Sequence, residues 1–523
     1  MSTNFVVEFL IWMLIAASVI ALIAARLRIP YTVALVLGGL AIGSISIHLP
    51  ILEALVTYKP NWLTPDVTLV IFLPPLLFEG SLKLRFRQLR ENSWPILLLA
   101  TLGVLVATLV TGFAAHWVLG LPLLVALVFG AITAATDPIS VLSIFKEMAV
   151  PRRLAVTVEG ESLFNDGTAA VMYGILVAGM ASGSFGIWTG IQEFFIEVLG
   201  GIALGGALGY AVSKLTQRVE ELQIEITLST VLAYSSYLMA DALHVSGVIA
   251  VVAAGITLGN VGTRIGMSPR TRIALWSFWE YFSFVVNSLL FLLIGLQVHV
   301  GVLLQTWRPT LLAVGTVILG RVLCVYGLIP ISNRFSFRIP MRWQHILVAG
   351  GIRGALALAL ALSLGINFPY RQQILAMTFG VVAVTIIVQG LSIKPLLRAL
   401  GMNAVREDAY EIARVQQIAI SSARSELDDL LRGHVISYPA YNVLRQELDG
   451  QLEKAKSQVE EIYGKDATRI YPEIRLARMR LIAAEKSSME EAVHGGLISQ
   501  ESANRLVEDA DKELDSLTQE EEA

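Results

Sequence analysis

The amino-acid sequence predicts an all-α polytopic membrane protein with a mainly helical, cytoplasmic C-terminal appendage. Three observations carry this. The 523-residue chain is 55% hydrophobic and only 15% charged, whereas soluble domains average about a quarter charged residues. Long apolar runs recur through residues 1–400. The charge is also unevenly divided. Residues 401–523 hold 25 acidic and 15 basic residues, a net of −10, against 17 acidic and 24 basic over 1–400, a net of +7. Two domains suited to two solvents follow: a transmembrane domain over 1–400 and a tail over 401–523. The tail is rich in Glu, Lys, Arg, Leu and Ala, with helical apolar spacing at Leu427, Leu430 and Leu431. A solvated appendage is the simpler reading of it and regulation the other; its partner is not named by its residues.

A spanning helix needs about 20 mostly apolar residues. Thirteen segments come close: 6–25, 31–47, 66–80, 94–119, 122–147, 153–179, 191–213, 224–243, 245–259, 276–297, 309–329, 343–364 and 372–397. The first has no Lys or Arg before its apolar run, unlike a cleaved signal peptide, and is predicted to be retained. Loop charge tests the count. One set of alternate loops, from Arg26 and Arg28 to Arg334, Arg338 and Arg342, holds seventeen Lys and Arg residues; the other holds three, Lys59, Arg308 and Arg371. Positive charge favours the cytoplasmic side. The N-terminus is therefore predicted outside and the tail in the cytoplasm, with the protein multi-pass in the cell membrane.

Composition also excludes. One cysteine, Cys324, rules out an internal disulfide framework and a multi-cysteine metal site. The chain has no Walker loop, nucleotide fingerprint or zinc spacing. No cofactor, ATP-driven step or nucleic-acid partner is expected, and the chain is not expected to be an enzyme.

The chemistry sits in ionisable groups inside apolar segments, which are expensive in a bilayer and functional by default. The stretch EGESLFNDG (159–167) places Glu159, Ser162 and Asp166 within a narrow arc of a helix, with Glu161 and Asn165 one turn apart beside them. Two carboxylates and an Asn exceed what helix–helix adhesion requires. A second feature, Thr136-Asp137-Pro138, interrupts an apolar run. Proline removes a backbone donor and disfavours helix at Asp137, and Asp-Pro suits the start of a new helix. A broken helix at membrane depth is tolerated only where it lines a cavity, and its carbonyls and carboxylate are cation ligands. The third is GGIRG (350–354), where three glycines surround Arg353. Arg321 is a second buried arginine, and each demands an anionic partner. Glu79, after Pro74 and Pro75, supplies one. Glu79, Asp137, Glu161 and Asp166 thus face two arginines, leaving two acids for mobile cations. Glu159 and Glu280 are ambiguous.

FLPPLLFEG (72–80), TDP (136–138), GESLFNDG (160–167), ILGR (318–321) and GGIRGALAL (350–358) occur in this order. Through them residues 1–400 resemble the monovalent cation:proton antiporters of the NhaP type, related to eukaryotic sodium/proton exchangers. The resemblance implies two inverted six-helix repeats joined by a linker helix, with the fifth and twelfth spans crossing as broken helices. It implies Asp166 as the cation and proton carrier, with Asp137, Ser162, the Thr136 carbonyl and Asn165 nearby. Glu161 would pair with Arg321 and Glu79 with Arg353. The family is typically homodimeric.

A carboxylate withdrawn from water binds a proton more tightly, and a neighbouring acid adds to this. Such a group holds a proton or a dehydrated Na⁺ but not both, and competition for one site suffices for exchange. Arg does not deprotonate in proteins, so the exchangeable protons belong to carboxylates. The sequence is read as an electroneutral Na⁺/H⁺ antiporter, accepting Li⁺ as well, for Na⁺ extrusion and pH homeostasis. The nearest alternative is a K⁺/H⁺ or Ca²⁺-tolerant antiporter, because oxygen ligands alone do not select the ion. An intramembrane aspartyl protease using Asp137 and Asp166, or a channel, would be a different class.

Overall fold

The computed structural model describes residues 3–27, 29–44, 65–148, 150–182, 186–218, 221–263, 267, 269–297, 307–402, 409–433, 435–465 and 481. Its elements are helices throughout. They fall in two compact units, residues 1–404 and 405–523.

The first unit opens with α1 (Thr3–Leu27), α2 (Tyr31–Ser44), α3 (Pro65–Lys83), the short α4 (Phe86–Glu91) and α5 (Ser93–Leu119). The segment expected at 122–147 is two helices, α6 (Leu123–Ile132) and α7 (Ile139–Glu147), and the break falls on Thr136-Asp137-Pro138. Next come α8 (Arg152–Ser182), α9 (Ile187–Thr216), α10 (Leu222–Ala242), α11 (Gly247–Gly262), α12 (Pro269–Gln297) and α13 (Trp307–Ser332). The segment expected at 343–364 is likewise broken, into α14 (Met341–Ala349) and α15 (Ala355–Leu362), before α16 (Arg371–Ala399). Each of the thirteen expected segments thus coincides with helix apart from the two breaks, and 45–47 lies outside the described residues, as do the expected loop charges Arg28 and Lys59. Seven of the helices (α1, α5, α8, α9, α12, α13 and α16) are each long and apolar enough to cross a membrane. Pro74 and Pro75 are accommodated inside α3 without breaking it.

Packing sorts these helices into two bundles. One joins α1, α2, α3, α9, α10, α11 and α12; the other joins α5 to α8 and α13 to α16. Lipid tails provide no hydrophobic drive between helices, so close packing must come from shape. The α9–α11 contact shows how. Gly201, Gly205 and Gly209 form one stripe at four-residue spacing, opposite the carbonyls of Ser246, Ala250 and Ala254, and a Cβ on Gly205 would collide with the Ala250 carbonyl. The α2–α12 contact uses Gly39 and Gly295 in the same way. Nothing in the reading of charged residues pointed to these stripes, although their spacing is visible in the sequence.

The second unit contains α17 (Ala409–Arg432) and α18 (Tyr438–Lys465), which pack together as a helical hairpin. Leu427 is buried with Leu452 and Ala455. The polar side is laced by Arg445, which pairs with Asp428 and, at 3.4 Å, with Asp449, while the Tyr441 hydroxyl donates to Asp428 at 2.8 Å. These groups are part-exposed, so such pairs contribute little each.

Gly205→Leu would force α9 off α11. We expect it to remove several kcal/mol of stability, read as lost monodisperse protein after detergent extraction. Leu at Gly206, whose Cβ would meet open space, is the matched control and should be tolerated.

Candidate functional site

The two breaks meet. The Asp137 N–H donates to the Ile352 carbonyl at 2.7 Å, and a Cβ on Gly354 would collide with the Asp137 carboxyl. Only glycine lets the start of α15 come this close to the acid. The Asp137 carboxylate also accepts from the Ile139 N–H at 2.9 Å, capping the first turn of α7. This is the expected Asp-Pro cap, with α7 beginning one residue later, after Pro138. The N-terminal ends of α7 and α15 both lie against Asp137, and helix N-termini favour negative charge.

The polar stretch of α8 divides into two rows. Glu159, Ser162 and Asp166 line a cavity of about 520 Å³ between the two bundles. Across it stand Tyr31, Glu79, Lys83, Ser283 and Asn287; Thr136, Asp137 and Gly354 complete the wall near the breaks. The second row, Glu161, Asn165 and Thr168, faces into its own bundle. There the Asn165 amide donates to the Thr136 hydroxyl at 2.7 Å, and its Oδ1 accepts from the Thr136 N–H at 3.3 Å. The Thr168 hydroxyl donates to the Ala100 carbonyl, in a π-helical turn of α5 (Leu99–Gly103). The Ser162 hydroxyl, although on the cavity row, donates to the Thr136 carbonyl.

The expected cation ligands are therefore brought together only in part. Asp166, Asp137, Ser162 and Thr136 share the cavity wall, while both ends of the buried Asn165 amide are occupied by Thr136, and Asn165 sits behind that wall. Its observed place is that of a clamp on the break.

The Glu161–Arg321 pair is present and buried on both sides. Arg321 reaches both carboxylate oxygens, with Nη2 to Oε2 at 3.0 Å, and donates from Nε and Nη2 to the Leu347 carbonyl at 3.1 and 2.8 Å. Leu347 lies in the last turn of α14, where the break leaves carbonyls without helical partners. One guanidinium thus neutralises an acid on α8 and completes the end of α14.

The other expected pair is not formed. Glu79 bonds Lys83 at 2.6 Å, one turn along α3, and Lys83 also lies 3.6 Å from Glu280 of α12. Arg353 is buried and donates to the Gly351 carbonyl at 2.6 Å instead. The reason is proximity: Lys83 is an i,i+4 neighbour of Glu79 and needs no contact between bundles. The Glu-x-x-x-Lys spacing of this pair is visible in the sequence, but a reading of buried charges alone does not use it. Thr385 was also missed. Its hydroxyl accepts from the Arg353 N–H at 3.2 Å, much as Asn165 accepts from Thr136 at the other break.

Because Glu161 and Arg321 are buried together, removing either alone strands the other, a loss of about 3–5 kcal/mol. Glu161→Ala and Arg321→Ala should each lower the melting temperature in detergent sharply. The double variant Glu161→Gln/Arg321→Met should melt above either one. Equal destabilisation by all three would exclude this account of the pair.

A family model described as "Sodium/hydrogen exchanger, transmembrane" matches residues 13–399. The Na⁺/H⁺ antiporter NhaG of Bacillus atrophaeus is 38% identical, over 94% of this chain and 93% of its own. The Na⁺/H⁺ antiporter ApNhaP of Aphanothece halophytica is also 38% identical, over 86% of this chain and 84% of its own. A solved structure of the sodium proton antiporter MjNhaP1 from Methanocaldococcus jannaschii superposes with a TM-score of 0.64 at 24% identity, covering 77% of this chain and all of that one. The chain is an integral membrane protein that belongs to the sodium/hydrogen exchanger family.

Proposed function

We propose that the protein exchanges Na⁺, and Li⁺, for H⁺ one for one, with Asp166 as the group that holds either ion in turn. The observation that carries this reading is the set of oxygens at the crossing of the broken helices. Asp166, Asp137, Ser162 and Thr136 line one cavity, and neither aspartate forms an ion pair with a basic side chain among the described residues. Asp166 and Asp137 act on each other electrostatically. Two carboxylates so placed hold a cation well together and repel without one. Asp137 contributes a second carboxylate, and Ser162 and Asn165 hold the Thr136 break in shape. K⁺ is the competing substrate; the names of the relatives favour Na⁺.

Exchange then needs no energy input beyond the gradients. The bundle carrying Asp166 crosses only when loaded, and release of one ion at a face leaves the site to the other. The thirteen segments are read as thirteen crossings, and α5–α8 and α13–α16 as the corresponding ends of two inverted repeats. Lys83, Lys146 and Glu280 mark the end at which the cavity reaches the surface. Lys83 and Lys146 stand at the ends of α3 and α7 that lead into two of the positive connections, and we read this as the cytoplasmic face, with the N-terminus outside. The protein is further read as a homodimer in the cell membrane, with residues 401–523 as a cytoplasmic, regulatory tail of unidentified partner.

Reconstituted into vesicles, Asp166→Asn should insert normally and lose Na⁺-driven proton movement; retained exchange would remove Asp166 from the centre. For the unmodified chain, competition makes the apparent KM for Na⁺ fall as pH rises through the active range. A KM indifferent to pH would mean separate sites. Addition of Na⁺, Li⁺, K⁺ and Ca²⁺ in turn identifies the substrate, and failure of downhill Na⁺ to drive uphill H⁺ would indicate a channel.

A further inference from the structure

Arg353 is the buried charge that this exchange chemistry leaves without a task. It is 2% exposed, yet its guanidinium has one hydrogen bond, to the Gly351 carbonyl, and its Nε has no partner. Among the described residues no carboxylate forms an ion pair with it. The acid whose charge reaches it is Glu161, which already binds both of its oxygens to Arg321. One carboxylate therefore serves two guanidiniums, and positive charge is left in excess behind the cavity wall. On the cavity side the imbalance is reversed, because Asp137 accepts from the Ile139 N–H and neither it nor Asp166 forms an ion pair with a basic side chain among the described residues.

The inventory of the α5–α8 and α13–α16 bundle is short. Among the described residues its interior holds three acids, Asp137, Glu161 and Asp166, and two arginines, Arg321 and Arg353. Glu159 is at the cavity mouth, where Lys83, Lys146 and Arg152 offset its charge and that of Glu79. With all five interior groups ionised the net charge is −1, and binding of one Na⁺ or one H⁺ brings it to zero. We propose that Arg353 is the fixed counter-charge of the cation site. By making the singly loaded bundle neutral, it lets each loaded half-cycle proceed without sensing the membrane potential. Without it the loaded bundle keeps a charge of −1, and a full charge carried through about 100 mV biases a step by about 50-fold. This rests on the exchange reading above. It assigns Arg353 a task that a tether to Gly351 alone would not require.

Gln at position 353 can still donate to the Gly351 carbonyl but carries no charge; Lys keeps the charge. The experiment uses the full chain in proteoliposomes, with Na⁺ uptake driven by a proton gradient. Uptake is measured without a potential and with a K⁺–valinomycin potential of about −100 mV. Absence of uptake by the unmodified chain without a potential would overturn exchange itself, independently of Arg353. The expected result is equal rates within about twofold at both potentials for the unmodified chain and Arg353→Lys, and a change of about fivefold or more for Arg353→Gln. The proposal is overturned if Arg353→Gln is insensitive to potential, or if the unmodified chain or Arg353→Lys is as sensitive as Arg353→Gln. It is equally overturned if Arg353→Gln inserts but is inactive at both potentials, or cannot be recovered as monodisperse protein, because the residue is then needed for the build of the site rather than its charge balance.

Discussion

A polypeptide interrupted inside a membrane cannot turn to water for its lost backbone hydrogen bonds, and much of this structure answers that constraint. Two helices are broken, at Thr136–Pro138 and at Gly350–Gly354. The breaks satisfy each other through the Asp137 N–H and the Ile352 carbonyl. What remains is taken up by side chains from neighbouring helices. Ser162 and Asn165 on α8 hold Thr136, Arg321 on α13 takes the Leu347 carbonyl, and Thr385 on α16 takes the Arg353 N–H. The uncharged members of the polar stretch of α8, Ser162 and Asn165, are thus the means by which a neighbour's break is made tolerable.

The same neighbours decide which acids are left without a basic partner. Glu161 is spent on Arg321 and Glu79 on Lys83. Asp137 and Asp166 remain, and both face a cavity. A buried carboxylate without a basic partner is unfavourable unless something else carries the charge. In a transporter that something is the substrate. On the exchange reading, the desolvation that penalises an empty site also favours cation binding.

Division into two bundles gives this chemistry room. The bundle with the breaks is held by hydrogen bonds, one buried ion pair and close glycine contacts such as Gly130 against the Thr108 carbonyl. The other relies on glycine stripes that bring α9 against α11 and α2 against α12. Small-residue packing is rigid because backbone touches backbone. The cavity lies between the two, lined on one side by Asp137 and Asp166 and on the other by Tyr31, Lys83 and Asn287.

Hydropathy and proline and glycine punctuation were enough to locate the helices and both breaks, because length and backbone chemistry are local properties. The loading of EGESLFNDG with polar groups was also plain, since a bilayer makes each one costly wherever it points. Direction was another matter. Asn165 and Asp166 are adjacent in sequence, yet one is bound on both ends to Thr136 and the other faces the cavity. Glu79 had two basic residues to choose from, and spacing along α3 chose the nearer. Which face of a helix meets a cavity, and which of several opposite charges comes within reach, depends on the packing of helices distant in the chain. That packing, through glycine stripes, a shared guanidinium and one backbone bond between two breaks, is where a list of intramembrane acids became a site with two carboxylates that have no basic partner.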